Sequence, residues 1–183
     1  MNTYKSQAIV LKRINFGEAD KIVTFYTKHF GKVTCLAKGI RRLSSRKRGN
    51  LEIFNKITFF ANKGKGMDFV TETELLESFS GWRGDLNKVA TAYQLCEMVD
   101  KLTAEESETD EVYELLAEFL EKLKSLDLEK RSFFLGDFGL KLLTILGYWP
   151  KGKPVPKNFR TSVFVEEIIE KELKAKNFLS KIN

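Results

Sequence analysis

The spacing of apolar residues changes once along this chain, close to Trp82. Before that point, β-branched and aromatic residues come in short runs separated by Gly, Asn and Lys, a pattern typical of strands. After it, apolar residues recur every three or four positions, which indicates amphipathic helices. The sequence therefore predicts two domains, residues 1–80 and 81–183, and an α+β protein in which an all-β domain precedes an all-α domain.

Five strands are predicted in the first domain, and each run is bounded by Gly or by the NKGKG sequence. They span approximately residues 6–15, 21–27, 32–37, 52–62 and 69–79. Five strands with one long loop suit a small Greek-key barrel, because a closed barrel leaves no unpaired strand edge. The OB-fold is the commonest such barrel, and an SH3-like barrel would give the same pattern.

Four helices are predicted in the second domain. The first runs from Asp85, a plausible N-cap, to residue 102. The second is carried by apolar residues of 112–123, the third by those of 133–146, and the last by those of 164–178. The third helix is expected to end at the Gly and Pro that follow it.

Charge is distributed unevenly along the chain. The net charge is +6, with +8 in residues 1–80, −6 in residues 81–150 and +4 in residues 151–183. Since polyanions bind where positive charge is concentrated, this distribution favours a polyanion site in the first domain.

A basic loop between the third and fourth strands, residues 38–50 (KGIRRLSSRKRGN), is the sharpest local feature. Its cations repel one another unless a polyanion neutralises them, and phosphates are the usual partners of clustered Arg. The Ser and Gly residues of this loop are expected to keep it mobile. The alternative is a solvated charged loop that binds nothing. The candidate DNA-binding residues are Lys38, Arg41, Arg42, Arg46, Lys47 and Arg48 of the loop, Lys12 and Arg13 of the first strand, and Lys63 and Lys65 before the last strand.

Aromatic residues in the first domain supply the second requirement for binding single strands, namely rings on which bases stack. The candidates are Phe16, Phe25, Tyr26, Phe30, Phe54, Phe59, Phe60 and Phe69. At least half must lie in the core, because an alternating strand buries every second side chain. Phe59 and Phe60 are adjacent and point to opposite sides of their strand, and the sequence leaves open which one faces out.

Catalytic and metal-binding patterns are missing from the sequence. His29 is the single histidine, and Cys35 and Cys96 have no CxxC partners, so two buried, reduced thiols are expected. The acidic residues of 105–111 indicate a solvated loop, since EF-hand spacing is absent. We therefore predict a non-enzymatic protein without metal or cofactor. With no apolar leader or membrane-spanning run, a cytoplasmic location is expected.

Residues 8–54 resemble the opening of the RecO family. The matching features, in order, are an aromatic residue followed by Gly17, Glu18 and Asp20, the sequence IVTFYT, Gly31, an A-x-G sequence ending at Gly39, and an Arg pair with its basic loop. The sequence LLTILGYWP, residues 142–150, is similar to a motif of the family's helical domain. The resemblance covers about 150 residues in all.

The resemblance implies an N-terminal OB-fold and a helical domain. It further implies a nucleoid-associated recombination mediator that binds single- and double-stranded DNA without sequence specificity. Such proteins anneal complementary strands and act with RecR to load RecA onto DNA coated with single-stranded DNA-binding protein. Many members carry a cysteine-rich zinc module after the helical motif, but residues 151–160 contain neither Cys nor His, so no zinc is expected here.

The helical domain is expected to be shorter than is usual in the family. Docking of the acidic tail of single-stranded DNA-binding protein then depends on a basic patch after the helical motif. The candidates for this patch are Lys151, Lys153, Lys157 and Arg160.

Two other functions fit the same sequence. One is a protein-interaction adaptor, in which the helical domain docks a partner such as RecR and the basic loop binds little DNA. The other is an OB-type RNA-binding protein of the translation apparatus, which charge alone does not separate from a DNA-binding protein.

Overall fold

Two compact units make up the structure, a computed structural model that describes residues 3–42, 45, 47–105, 107 and 109–177. One unit comprises Met1–Phe79 together with Ala104–Tyr113, and the other comprises Ser80–Thr103 together with Glu114–Asn183. The predicted domains, 1–80 and 81–183, differ from these units in the placement of residues 104–113.

The first unit is a five-stranded barrel. Its strands are β1 Thr3–Phe16, β2 Asp20–Thr27, β3 Gly31–Ala37, β4 Lys56–Asn62 and β5 Asp68–Glu77. They close in the order β1-β2-β3-β5-β4, with β3 and β5 parallel and the other neighbours antiparallel. This closed order confirms the predicted OB-fold.

Alternation along the strands produces the barrel core. Its buried residues are Ala8, Val10, Val23, Phe25, Cys35, Ala37, Ile40, Leu51, Ile57, Phe59, Ala61 and Val70. The Phe25 and Phe59 rings stack with their centroids 4.9 Å apart. Each large apolar side chain buried here stabilises the fold by about 1.5–3 kcal/mol.

A bulge in β1 reverses the alternation of that strand. Val10 pairs with Phe25, but Lys12 rather than Leu11 pairs with the next residue of β2, so β1 contains one extra residue at Leu11. Beyond the bulge, Arg13 pairs with the core residue Val23. Odd-numbered residues of β1 therefore face the inner side after Leu11, whereas even-numbered residues face it before.

The predicted start of the fourth strand at residue 52 is wrong. A short helix, α1 Lys47–Asn50, is followed by a turn in which Phe54 has a positive φ of 75°. Asn55 stabilises this turn by donating to the Gly49 and Asn50 carbonyls at 2.9 and 3.0 Å. Leu51 and Phe54 are buried. This apolar run indicates a strand in the sequence, but Leu51 instead joins the barrel core from the loop.

The second unit is helical, as predicted. Its sequence forms α2 Leu86–Leu102, α3 Asp110–Lys122, α4 Arg131–Ile145 and α5 Thr161–Ile169, of which the first turn of α3 belongs to the barrel unit. Asp85 is the N-cap of α2, since its carboxylate accepts from the backbone N–H groups of Asn87 and Lys88. Among the described residues, no helix is long and apolar enough to span a membrane.

The last helix is shorter than the predicted 164–178. It ends before Glu170, which adopts a left-handed conformation with φ 52°. The chain then turns so that Leu173 is buried and its N–H donates to Glu166 Oε1 at 3.1 Å. A 3-10 turn, Lys174–Asn177, follows. Residue 178 lies outside the described part of the chain.

Candidate nucleic-acid interface

The start of the basic loop is bound to the turn between β1 and β2. Gly39 N–H donates to Asp20 Oδ1 at 2.7 Å, and Arg41 N–H donates to the Ala19 carbonyl at 2.9 Å. The Arg41 guanidinium also donates to the Gly17 carbonyl at 3.2 Å. These bonds fix residues 39–41, so this part of the loop is not the mobile segment that the sequence indicated.

Lys21 lies within electrostatic range of three arginines, and these four cations are here called the cation cluster. The pKa of Lys21 is lowered, first by partial loss of hydration and then by the positive charges of Arg13, Arg41 and Arg48. Glu52 opposes the effect. Four cations from β1, β2, the basic loop and α1 thus lie within electrostatic range of one another, an arrangement suited to an anionic polymer.

Lys21 itself was missed by the sequence analysis. The run of cations in the loop was the conspicuous signal, whereas Lys21 is a single basic residue at the start of a predicted strand. It pairs with Asn15 in the hairpin, next to the Arg13–Val23 pair, and cross-strand partners share a face. Building the predicted hairpin would have placed Lys21 next to Arg13 on the same face, and this could have identified Lys21 as a candidate.

Arg13 is neutralised within the structure. Its Nη1 donates to Glu52 Oε1 at 2.8 Å and its Nη2 donates to Glu52 Oε2, which makes a bidentate ion pair. Its Nη1 also lies 3.4 Å from the Leu51 carbonyl. Arg13 therefore holds the turn after α1 against β1, and Glu52 offsets the positive charge that it adds to the cluster.

Lys47 has a similar structural role. Its ammonium donates to the Val70 carbonyl at 3.2 Å, and burial lowers its pKa. Asn50, at the other end of α1, donates to the Thr73 carbonyl at 3.0 Å. Both contacts hold α1 against β5, which leaves Arg48 of the same helix exposed to solvent.

The other predicted cations are spread over the barrel. Lys38 and Arg42 are exposed, Lys38 Nζ lies 5.0 Å from the Phe69 ring centroid, and Lys12 is partly exposed on β1. Lys63 and Lys65 lie in the β4–β5 turn, where Lys63 forms a 3.7 Å ion pair with Asp68. Arg46 lies outside the described residues.

Most of the candidate aromatic residues are not available for stacking. Phe25, Tyr26, Phe54 and Phe59 are buried. Phe59 is the inward member of the adjacent pair, and Phe60 lies outside with Lys5 Nζ 5.0 Å from its ring centroid. Phe30 packs edge-on against Tyr4 at 5.2 Å. Phe16 is 52% exposed, beside the Gly17 carbonyl that Arg41 contacts.

Residues 104–113 are here called the acidic strap, and the described residues among them lie against part of the outer face of β2 and β3. A parallel β-bridge joins Lys32 to Glu105, and Thr34 Oγ1 donates to Glu105 Oε1 at 3.0 Å. The sequence indicated a solvated loop here. Glu105 is indeed exposed, but the contacts with β3 were not foreseen.

Two tyrosines anchor the acidic strap further along. Tyr26 donates to the Thr109 carbonyl at 3.4 Å, and Tyr113 donates to Gln7 Oε1 at 3.1 Å. Both rings are almost fully buried. OB-folds commonly bind oligonucleotides on the β2–β3 face, and this part of that face is covered by a segment of like charge to DNA.

Neither cysteine is a reactive thiol in this structure. Cys35 is buried in the barrel, where desolvation raises its pKa to about 12. Cys96 is buried in α2, and desolvation raises its pKa as well. Within the described ranges, no group of three His, Cys, Asp or Glu side chains is placed to hold a metal ion.

Comparison with known families accounts for both units. Residues 1–79 match the family described as Recombination protein O N terminal, and residues 83–152 match the one described as Recombination protein O C terminal. The chain belongs to the RecO family. The resemblance found in the sequence is thereby confirmed over both the barrel and the helices.

Individual RecO relatives are similar over most of this chain. The DNA repair protein RecO of Rubrobacter xylanophilus is 36% identical over 151 residues, which cover 82% of this chain and 60% of the relative. That of Pelotomaculum thermopropionicum is 34% identical over 150 residues, 82% of this chain and 57% of the relative. That of Gloeothece citriformis is 32% identical over 170 residues, which cover 88% of this chain and 60% of the relative. The matched region thus spans about 60% of the length of these RecO proteins.

Proposed function

We propose that this chain is a recombination mediator that binds DNA through the cation cluster. The observation that carries the proposal is that bonds to the Gly17 and Ala19 carbonyls hold Arg41 on the turn that precedes Lys21. Arg48, from a third element, lies within electrostatic range of Lys21. The relatives are named DNA repair proteins, which supports a role in DNA repair and recombination. The chemistry is binding rather than catalysis.

The cluster suits DNA of any sequence. Its cations contact phosphates, which carry no sequence information, so single and double strands both bind. Screening of phosphate charge on the protein also lets two complementary strands approach and pair, which is the physical basis of annealing. In the cell, the protein acts with RecR to load RecA onto strands covered by single-stranded DNA-binding protein.

Three exposed or partly exposed cations of the cluster and two more from the basic loop are available to the phosphates. They are Lys21, Lys38, Arg41, Arg42 and Arg48. Neutralising five phosphates of a single strand releases counterions, so the slope of log K against log salt is expected to be about −3.5. Affinity then falls roughly a hundredfold between about 50 and 200 mM salt.

Fluorescence anisotropy with labelled single-stranded DNA, titrated across a salt series, tests this proposal. Micromolar or tighter binding with a slope near −3 to −4 supports it. Background DNA binding at low salt, together with tight binding to purified RecR, would instead identify the adaptor. Competition between DNA and RNA strands of matched sequence separates a DNA-binding from an RNA-binding protein, since only RNA has 2′-hydroxyls.

A further inference from the structure

An apolar row crosses the outer surface of the barrel on four strands. Ile14 of β1 pairs with Ile22 of β2, Ile22 pairs with Leu36 of β3, and Leu36 pairs with Phe69 of β5. Cross-strand partners point to the same side of a sheet, so these four side chains form one line, here called the outer row.

The outer row faces away from the core. The residues that follow or precede its members in sequence, Val23, Cys35 and Val70, are buried in the barrel, and successive side chains of a strand point to opposite faces. Ile14 is 58% exposed, and the other three members are partly exposed.

Phe16 extends the outer row at its β1 end. It lies two residues after Ile14 on the same face of β1 and is 52% exposed. The turn that follows it is held by the bonds from Arg41 to the Gly17 and Ala19 carbonyls. The backbone beside the Phe16 ring is therefore ordered before any ligand binds, which lowers the entropy lost on stacking.

Cations flank the outer row at both ends. Lys38 Nζ lies 5.0 Å from the Phe69 ring centroid at one end, and Arg41 bonds to the turn after Phe16 at the other. Lys12 pairs with Thr24 in the neighbouring register position, so it shares the outer face. An apolar strip edged by positive charge matches a ligand with flat apolar groups on an anionic backbone.

The acidic strap leaves this part of the barrel uncovered. Its contacts with the outer sides of β2 and β3 are made at Tyr26 and Thr34, towards the other end of these strands from Ile22 and Leu36. The outer row is thus a section of the β2–β3 face, the usual oligonucleotide face of OB-folds, that lies beyond the contacts of the strap with Tyr26 and Thr34.

From these observations we infer that Phe16 and the outer row form a platform that contacts the unpaired bases of a single-stranded nucleic acid. The inference rests on the proposed function, because the cations that flank the outer row, Lys12, Lys38 and Arg41, hold the phosphates of the same strand. In a duplex the base faces are stacked within the helix and do not reach a flat platform. The platform therefore gives single strands an advantage that phosphate contacts alone do not supply.

The decisive experiment compares ligands with and without accessible bases. Wild-type protein and the Phe16→Ala variant are titrated with an oligothymidylate of about 16 nucleotides, with an abasic oligomer of the same length, and with a hairpin duplex. Phe133→Ala, which removes an 80% exposed ring from α4, is the matched control. Phe16→Ala is expected to weaken oligothymidylate binding about fivefold or more, with abasic and duplex binding unchanged.

The possible failures are distinguishable. Normal abasic binding with no loss of oligothymidylate affinity in Phe16→Ala overturns the platform and leaves the proposed function standing. Equal losses for all three ligands also overturn it, since they would assign Phe16 to the cation cluster's geometry. If the wild-type protein binds none of the ligands at low salt, both ideas fall. A further outcome is that the wild-type protein self-associates, that Phe16→Ala abolishes this self-association, and that oligothymidylate affinity is unchanged. The outer row would then bind a second copy of the chain, and the platform would be overturned.

A second variant reports the contact directly. Phe16→Trp places an indole on the platform, while the native Trp82 and Trp149 are both buried in the helical unit. Quenching of the added fluorescence by oligothymidylate, but not by the abasic oligomer, is the expected result. Equal quenching by both ligands contradicts base stacking.

Discussion

Gly31 and Ser107 approach so closely that no other residue type fits at position 31. A Cβ built on Gly31 lies 2.1 Å from the Ser107 carbonyl oxygen, and Gly31 has a φ of +60°, a conformation that favours glycine. The first residue of β3 is therefore a point where the backbone of the acidic strap leaves no room for a side chain on the barrel.

Replacing Gly31 with Ala is expected to destabilise the barrel unit. The methyl group both strains the backbone, at about 1–2 kcal/mol, and displaces the strap. Gly17→Ala is the matched control, since Gly17 has a φ of +55° and nothing lies within 4 Å of its built Cβ. Urea denaturation of both variants measures the difference. Equal losses of unfolding free energy would show that the strap contact adds nothing.

Removing three arginines of residues 38–50 at once tests the proposed interface. The Arg41→Ala, Arg42→Ala and Arg48→Ala triple variant should reduce the salt slope for single-stranded DNA by about 2, because three phosphates lose their partners. The charge-matched control replaces Lys101, Lys130 and Lys171, which are exposed in the helical unit. Anisotropy across a salt series gives both slopes. An unchanged slope in the arginine variant would remove the basis of the proposed interface.

Neutralising Glu52 should strengthen DNA binding. Glu52 offsets the charge of Arg13 and opposes the positive potential at Lys21. Glu52→Gln keeps a hydrogen-bond acceptor but removes the negative charge, so affinity at low salt should rise about two- to fivefold. The stability lost should be below about 1 kcal/mol, because the ion pair is partly exposed.

The control for this change is Glu74→Gln, an exposed position on β5. Glu74→Gln changes the net charge by the same amount as Glu52→Gln but leaves the residues of the cation cluster unchanged. If both variants raise affinity to the same extent, the effect belongs to net charge and not to the position of Glu52.

Alkaline pH should destabilise the barrel unit. Burial raises the pKa of Tyr26 to about 12, with a smaller contribution from Asp110. The unfolded tyrosine titrates near 10, so the folded state holds its proton more tightly. Stability from this group is therefore fully present below pH about 10 and is lost as pH rises towards about 12.

Tyr26→Phe isolates this contribution. The variant loses the hydrogen bond to Thr109 but no longer ionises, so its urea midpoint should depend less steeply on pH in that range than the wild type does. Some dependence remains, because burial also raises the pKa of Cys35. Parallel pH profiles for the two proteins would assign the alkaline loss to other groups.

The barrel strands and the helical half of the chain were predictable because each local pattern agreed with the final fold. Alternation bounded by glycine gave five strands, and the Asp85 cap marked the start of α2. Local patterns failed where tertiary contacts determined the outcome. Leu51 and Phe54 lie in an apolar run that is continuous with β4 in the sequence, but they are buried in the loop and turn that precede β4.

The candidate site was only partly predictable for a related reason. The cations of the basic loop are visible as a run, but the sequence does not show that Arg13 is paired with Glu52 or that Lys47 is bound to Val70. The acidic strap is polar, and its sequence therefore predicts a solvated loop. Its attachment to the barrel depends on backbone contacts and on the absence of a side chain at Gly31, which the sequence pattern does not show. The outer row depends on strand register, which a single chain segment does not reveal.

The extra residue at Leu11 divides one hairpin into two chemically different sides. Beyond it, Arg13 and Lys21 lie on the side of the cation cluster, and Ile14 and Phe16 lie on the opposite side. Side chains alternate with a period of two, so a one-codon deletion at Leu11 would exchange these sides. Charge would then point where the apolar row now lies. A single residue of β1 therefore determines which surface of this hairpin carries charge and which carries apolar side chains.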